Sequence, residues 1–458
     1  MLSCDTLVAL GNVTSTGRNL FAKNSDRPLE ESQPLVYLPA ASHPAGATLR
    51  CTHIEIPEAA STFALLASKP YWMWGCEIGV NERGVVIGNE AEDSNLPLDG
   101  EEGLLGMDLV RLGLERGATA HEAMHVMADL LGQYGQNANA HVRADYRYDN
   151  SYIIADAKEA WVLETAGRRW VAKRVTSYTA ISNCYSIHDD YDEGSDDVVA
   201  YARSMRLLAP GAPFDFARAF TRMVLRQQRS LPRYRRLLTL LERQKGTIDK
   251  ESVVSILRDH FEDALLAPRY GAGDAQFASV CMHALTEKDS KTAASLIVTW
   301  HDVLGVTCRH CFSNPCTSAY IPIYMTGHLP ASFQQGGGTF SPDSLWWVME
   351  RLHCAVEADS FRFAPRVREA LDALEREFSA RAGQAEAQAV SLHQAGRAAE
   401  ADALLNDLMD DCALRLCETA NAQFDQIKRE LELDGGLYGS RAAFLRGFCQ
   451  RTRIEFVD

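Results

Sequence analysis

Cys4-Asp5-Thr6-Leu7-Val8-Ala9-Leu10 lies near the start of the chain, and Phe21-Ala22-Lys23-Asn24-Ser25-Asp26-Arg27 follows it. Thr6 to Leu10 and Asn19 to Ala22 are short apolar runs separated by Gly11-Asn12 and Thr16-Gly17, which predicts two strands of a hairpin. That arrangement sets Cys4 at a strand start and Lys23 to Asp26 at a strand end, and adjacent antiparallel strands bring such ends together. Read alone, Cys4 is a small apolar side chain of the core. If Met1, Leu2 and Ser3 were removed, it would carry a thiol and an amine on one residue. A terminal amine has a pKa of about 7.7 to 8.0, so an appreciable fraction is an unprotonated base near neutral pH. A lipoprotein-type signal does not fit, because it needs an apolar stretch of about 7 to 15 residues before the cysteine.

Moving outward, Phe63 to Leu66, Glu77 to Asn81 and Gly84 to Asn89 read as strands, the last two joined by the tight turn Asn81-Glu82-Arg83-Gly84. Leu104 to Glu115 repeats apolar residues at helical spacing, and Thr119-Ala120-His121-Glu122 is a capping signal for a helix to Tyr134. From Ser151 to Ser182 the pattern alternates again over four closely spaced segments, which predicts an antiparallel meander. Helical segments recur from Phe214 to Phe261 and strands from Leu296 to Met325. Two groups of strands separated by helices indicate an α+β fold in layers. Gln334 to Pro342 is glycine-rich and reads as a linker. Beyond it the chain is helical in composition, with Val367, Leu371, Leu374 and Phe378 at helical spacing, and a helical hairpin is expected.

The chain has 458 residues, 46% hydrophobic and 23% charged, ordinary values for a globular protein. No segment approaches the roughly 18 apolar residues of a membrane span. The formal net charge of -15 argues against a nucleic-acid partner, since phosphate binding needs clustered cations. The basic run Arg226 to Arg236 lacks interleaved aromatics and reads as a solvated helix face. Twelve cysteines scattered without a secretory signal fit reduced thiols and a cytoplasmic location. Cys308, His310, Cys311 and Cys316 include one Cys-x-x-Cys and a nearby imidazole. Structural zinc sites usually pair two such knuckles, so a turn between two strands is the preferred reading of this cluster.

Four ordered motifs resemble the secernin and cysteine dipeptidase family of N-terminal-nucleophile (Ntn) hydrolases. They are Cys4-Asp5-Thr6, Phe21 to Arg27, Trp72-Met73-Trp74-Gly75-Cys76-Glu77 through Gly84, and Val86 to Ala91. The resemblance is strongest over residues 4 to 185 and continues weakly through Ser279-Val280-Cys281-Met282-His283 and Ser318 to Tyr324. It implies a four-layer αββα sandwich, set at residues 1–333; composition, of which the resemblance says little there, sets the linker at 334–342 and an appended, mainly helical region at 343–458. It also implies cleavage of short peptides, typically dipeptides with an unblocked amine, through Cys4 exposed by loss of residues 1–3.

Asp26 matches the carboxylate that holds the terminal amine. Lys23 stands where relatives place a cation beside the thiol, which lowers a thiol pKa. Asn183 and Asn89 match the two positions of the oxyanion hole, Asn89 through backbone and side chain. Cys184 reads as a bystander. A distal arginine of the relatives is left unassigned among Arg203, Arg206 and Arg218, and any of Glu77, Glu82 and Glu90 could meet a substrate amine. No metal or organic cofactor is expected, and the C-terminal helices are a candidate surface for a homo-oligomer. A non-catalytic scaffolding protein and an acyltransferase acting on amides are the alternative readings.

Overall fold

The computed structural model describes residues 3–97, 101–222, 226–263, 278–284, 286–439 and 441–456. Helix and sheet are mixed along the chain in an α+β architecture. Two compact units share it: residues 3–23 with 38–253, and residues 24–37 with 254–458. This division differs from one at residues 334–342. That glycine-rich stretch is pinned within its unit, where Gly337 exchanges hydrogen bonds with the Ser32 hydroxyl at 2.7 and 2.8 Å and its carbonyl accepts from Trp347 Nε1 at 3.0 Å.

In the first unit, β1 (Asp5–Ala9) is buried throughout, and β2 (Leu20–Pro28) contributes its first four residues. Then come β3 (Leu65–Ser68), β4 (Ile78–Asn81) and β5 (Val86–Glu92). Helices α1 (Gly106–Arg116) and α2 (Ala120–Tyr134) follow. The predicted cap of α2 forms: Thr119 Oγ1 accepts from the Glu122 amide at 3.2 Å while the Glu122 carboxylate accepts from the Ala118 amide at 2.9 Å. The alternating region gives β6 (Asp149–Ala155), β7 (Ala160–Ala166), β8 (Arg169–Arg174) and β9 (Tyr178–Ile181), followed by the short β10 (Glu193–Gly194).

Strands β3 to β8 and β10 lie side by side in the order β10-β8-β7-β6-β5-β4-β3. The fourth strand of the expected meander does not join them. Strand β9 pairs antiparallel with β1, Thr6 opposite Ile181 and Ala9 opposite Tyr178. Period-2 alternation marks a strand with one buried face, but it carries no information about which neighbour the strand takes. Helix α3 (Arg226–Arg243) packs on β9 and β1, β1 packs on β5 and β6, and α1 and α2 pack on β5 and β6.

The second unit holds the remainder of β2, after which α4 (Lys250–Leu257) runs into it from the first unit. Next are β11 (Ser290–His301), β12 (Gly305–Phe312) and β13 (Ile321–Tyr324), with strand order β2-β11-β12-β13. Cys308, His310 and Cys311 lie inside β12, not in a turn between strands; the turn begins at Ser313, and Cys316 sits in the 3-10 segment Pro315–Thr317. Helices α5 (Leu345–Ala358), α6 (Ser360–Gln394), α7 (Ala398–Leu433) and α8 (Ala442–Thr452) complete the unit. The pair α6 and α7 is the expected hairpin: Arg362 bonds Glu430, and Arg381 pairs with Asp411 nearer its tip. Val367, Leu371, Leu374 and Phe378 are buried along it, and both helices contact β13.

Candidate active site

Pairing of β9 with β1 carries Ser182-Asn183 to the start of β1, beside Cys4. The Cys4 backbone N–H donates to Asn183 Oδ1 at 2.9 Å, and Arg233 Nη2 donates to the same oxygen at 2.7 Å. Asn183 Nδ2 donates to the Ala91 carbonyl at 2.9 Å. Two donors on one end of the amide and a carbonyl on the other fix its orientation. Arg233, on α3, also donates through Nη1 to the Cys4 carbonyl at 3.0 Å and to Asp5 Oδ2 at 2.6 Å. Cys4 is buried, and the side chains of Asp5 and Arg233 have no exposed surface. Burial pushes the Asp5 carboxyl up from its ordinary value, and the Arg233 guanidinium offsets part of that rise.

Two residues along β1, Thr6 donates its hydroxyl to Glu90 Oε1. Lys23 Nζ reaches the same carboxylate oxygen at 3.4 Å and donates to the backbone carbonyl of Asn89. All three side chains are fully buried. Burial pushes Glu90 up to about 7, with Lys23 pulling in the opposite direction. Gly88 leaves room for this cluster, since a Cβ there would stand 2.6 Å from Lys23 Cδ and 3.1 Å from the Phe21 ring. Cys4 and Thr6, being two apart at the head of an extended segment, lie toward one face of it.

The residues expected at the site divide accordingly. Cys4 and Asn183 meet directly, and Lys23 meets the backbone of Asn89. The Asn89 side chain is on the opposite face of β5 from Glu90 and Lys23, against Asn150 and Met107 of α1. Strand alternation puts residue 90 on the face toward Lys23 and residue 89 on the buried face toward α1. Asp26 is buried in the other unit, where Oδ1 accepts from the Thr292 hydroxyl at 2.7 Å. Of the three glutamates, Glu90 is in the cluster, whereas Glu82 caps the Ala64 amide at 3.2 Å. The arginine that bonds the Cys4 carbonyl is Arg233, from the basic run read as a solvated face, and not Arg203, Arg206 or Arg218. Leu237 and Leu241, one and two turns further along α3 and buried like Arg233, could have signalled that one side of this helix faces inward. Cys184 follows Asn183 with its thiol pushed well up by burial and by Glu92 and Glu164.

Residues 3–233 match the model of peptidase family C69, half of the chain, with Cys4, Lys23, Glu90, Asn183 and Arg233 all inside the match. The chain belongs to peptidase family C69. As a member of that family it is a cysteine-type hydrolase of amide bonds.

Among solved structures, this C69 peptidase is similar to a variant of conjugated bile acid hydrolase from Clostridium perfringens. The TM-score is 0.41 at 12% identity, over 72% of this chain and 95% of that one. A mutant of the same enzyme matches at TM-score 0.39 and 12% identity, over 73% and 95%. A Caenorhabditis elegans ortholog of N-acylethanolamine-hydrolyzing acid amidase matches at 0.32 and 11%, over 64% and 92%. Among the described residues no helix is long and apolar enough to cross a membrane.

Proposed function

We propose that this chain is a dipeptidase of the Ntn-hydrolase type, with Cys4 as the N-terminal nucleophile once residues 1–3 are removed. Met1 and Leu2 lie outside the described residues. The supporting observation is the Cys4 backbone nitrogen held at 2.9 Å by Asn183 Oδ1, which Arg233 fixes in turn. After cleavage of the Ser3–Cys4 bond that nitrogen is a primary amine, and the same acceptor orients it. Stacking of α3 on β1 and β9, of β1 on β5 and β6, and of those strands on α1 and α2 is compatible with an αββα sandwich.

In the proposed reaction the Cys4 thiol gives its proton to its own amine, and sulfur attacks the substrate carbonyl. The ammonium returns the proton to the departing amine as the C–N bond breaks. Water then attacks the thioester, giving the free acid and restoring the thiol. The buried cation of Lys23 raises the thiolate fraction, and Glu90 holds Lys23 in place. Asn183, with its oxygen turned to the Cys4 nitrogen, acts as the amine's acceptor and not as an oxyanion donor. Asp26, which matches the carboxylate that holds the terminal amine in the family, remains proposed in that role.

The test compares free dipeptides with their N-acetylated forms, using wild type, Cys4→Ser and Cys4→Ala. The expected result is turnover of free dipeptides that both variants reduce by roughly a thousandfold or more, in line with loss of a covalent nucleophile. Wild-type-like turnover by Cys4→Ala would overturn the assignment. Equal rates on acetylated and free dipeptides would remove the dipeptidase reading and leave the amide hydrolase.

A further inference from the structure

A cluster of soft and imidazole donors in the second unit is separate from the chemistry proposed for Cys4. We propose that His260, Cys281, His283 and Cys316 bind one structural zinc ion. The four donor atoms lie within 4.8 Å of one another. His260 Nε2 is 3.1 Å from His283 Nε2, and His283 Nε2 is 3.8 Å from Cys281 Sγ and 3.3 Å from Cys316 Sγ. Tetrahedral zinc with bonds of about 2.0 Å to nitrogen and about 2.3 Å to sulfur spaces its ligand atoms by roughly 3.3 to 3.8 Å. Neither cysteine is in a disulfide.

The outer nitrogens support the same reading. His260 Nδ1 faces Glu262 Oε1 at 3.1 Å, and His283 Nδ1 faces Glu357 Oε1 at 2.9 Å. A carboxylate on Nδ1 fixes the proton there and leaves Nε2 as the metal-binding lone pair, the usual outer support of a zinc-bound imidazole. Glu357 is itself paired with Arg441. The chain segments are aligned independently of any ion. The Cys281 amide donates to the Asp259 carbonyl at 3.2 Å, and Asn314 Nδ2 donates to the Met282 carbonyl at 2.6 Å. The Cys316 carbonyl accepts from Arg368 at 3.2 Å.

Two thiolates and two imidazoles make a closed donor set, which selects zinc and a structural role over an open catalytic position. The ion would join the end of α4, the segment before β11 and the 3-10 turn after β12. Only Cys316 comes from the cluster suspected in the sequence. Cys308 and Cys311 are strand residues of β12, and His310 packs against Phe312 with its ring held neutral by burial.

Full-length protein purified without chelator is expected to carry about one zinc per chain by elemental analysis. Cys281→Ser and Cys316→Ser are expected to lose most of it, while Cys308→Ser and Cys311→Ser retain it. If the first two variants fail to fold, cobalt-exchanged wild type decides: tetrahedral cobalt–thiolate absorption bands are expected. Wild type without zinc and without those bands after cobalt exchange would overturn the proposal, and so would folded Cys281→Ser and Cys316→Ser variants with undiminished zinc. Metal content and spectrum are read without reference to peptidase activity, so failure here leaves the proposed function standing, and the converse also holds.

Discussion

Arg233 joins two stretches that lie far apart in sequence, through the Cys4 carbonyl and the Asp5 carboxylate at the head of β1 and the Asn183 amide after β9. A guanidinium supplies the fork this requires, and a lysine does not. Arg233→Met leaves Asp5 buried without its partner, so we expect a loss of about 3–5 kcal/mol in equilibrium denaturation, together with loss of activity. A variant as stable as wild type would contradict that placement. Asn183→Ala removes the acceptor of the Cys4 nitrogen. A drop in kcat with little change in KM is predicted, since the group positions the nucleophile and touches no substrate. At this scale Cys4 and Lys23 were picked out as candidates by ordered, local motifs, and Asn183 only by the resemblance, in a role other than the one proposed for it above. Arg233 was not, because a charge run looks solvated until the strand it faces is known, and Glu90 was only one of three glutamates near a turn.

Strand β5 carries two chemistries on its two faces, with Gly88 and Glu90 toward Lys23 and Asn89 toward α1. Gly88→Ala drives a methyl group against Lys23 Cδ and the Phe21 ring. Such overpacking typically costs about 1–3 kcal/mol. Displacing Lys23 from Glu90 is also expected to lower the thiolate fraction of Cys4, which a shift of the pH–kcat/KM profile to higher pH would register; an unchanged profile with unchanged stability would count against the cluster. Element type followed from periodicity in the segments read, including the cap at Thr119 and the α6–α7 hairpin, but extent did not always: β2 runs on to Pro28, so that Lys23 to Asp26 lie inside it, and β11 begins at Ser290. The partner of β9 did not, because pairing with β1 is a long-range choice that alternation leaves open. That one choice is what brings Asn183 to Cys4.

Across the first unit several carboxyls are buried away from water. Glu90 and Glu164 are each pushed up to about 7 by burial, Asp149 to about 6, and Glu92 well above its ordinary value. A raised folded-state pKa means that the native chain keeps a proton the unfolded chain releases above about pH 4.5. Their contribution to stability is therefore full below that pH and is lost as pH rises toward 7. Glu164→Gln should accordingly flatten the fall in Tm between pH 5 and pH 7.5; an identical fall in variant and wild type would contradict it. The two-unit division was not legible, because the segment 24–37 joins residues from the far end of the chain and the glycine-rich stretch that reads as a linker is fastened to Ser32. The proposed mechanism requires that the Cys4 nitrogen held by Asn183 becomes a free amine. Intact-mass analysis of active protein measures this directly: wild type is expected to begin at Cys4, and active protein beginning only at Met1 or Leu2 would rule the mechanism out.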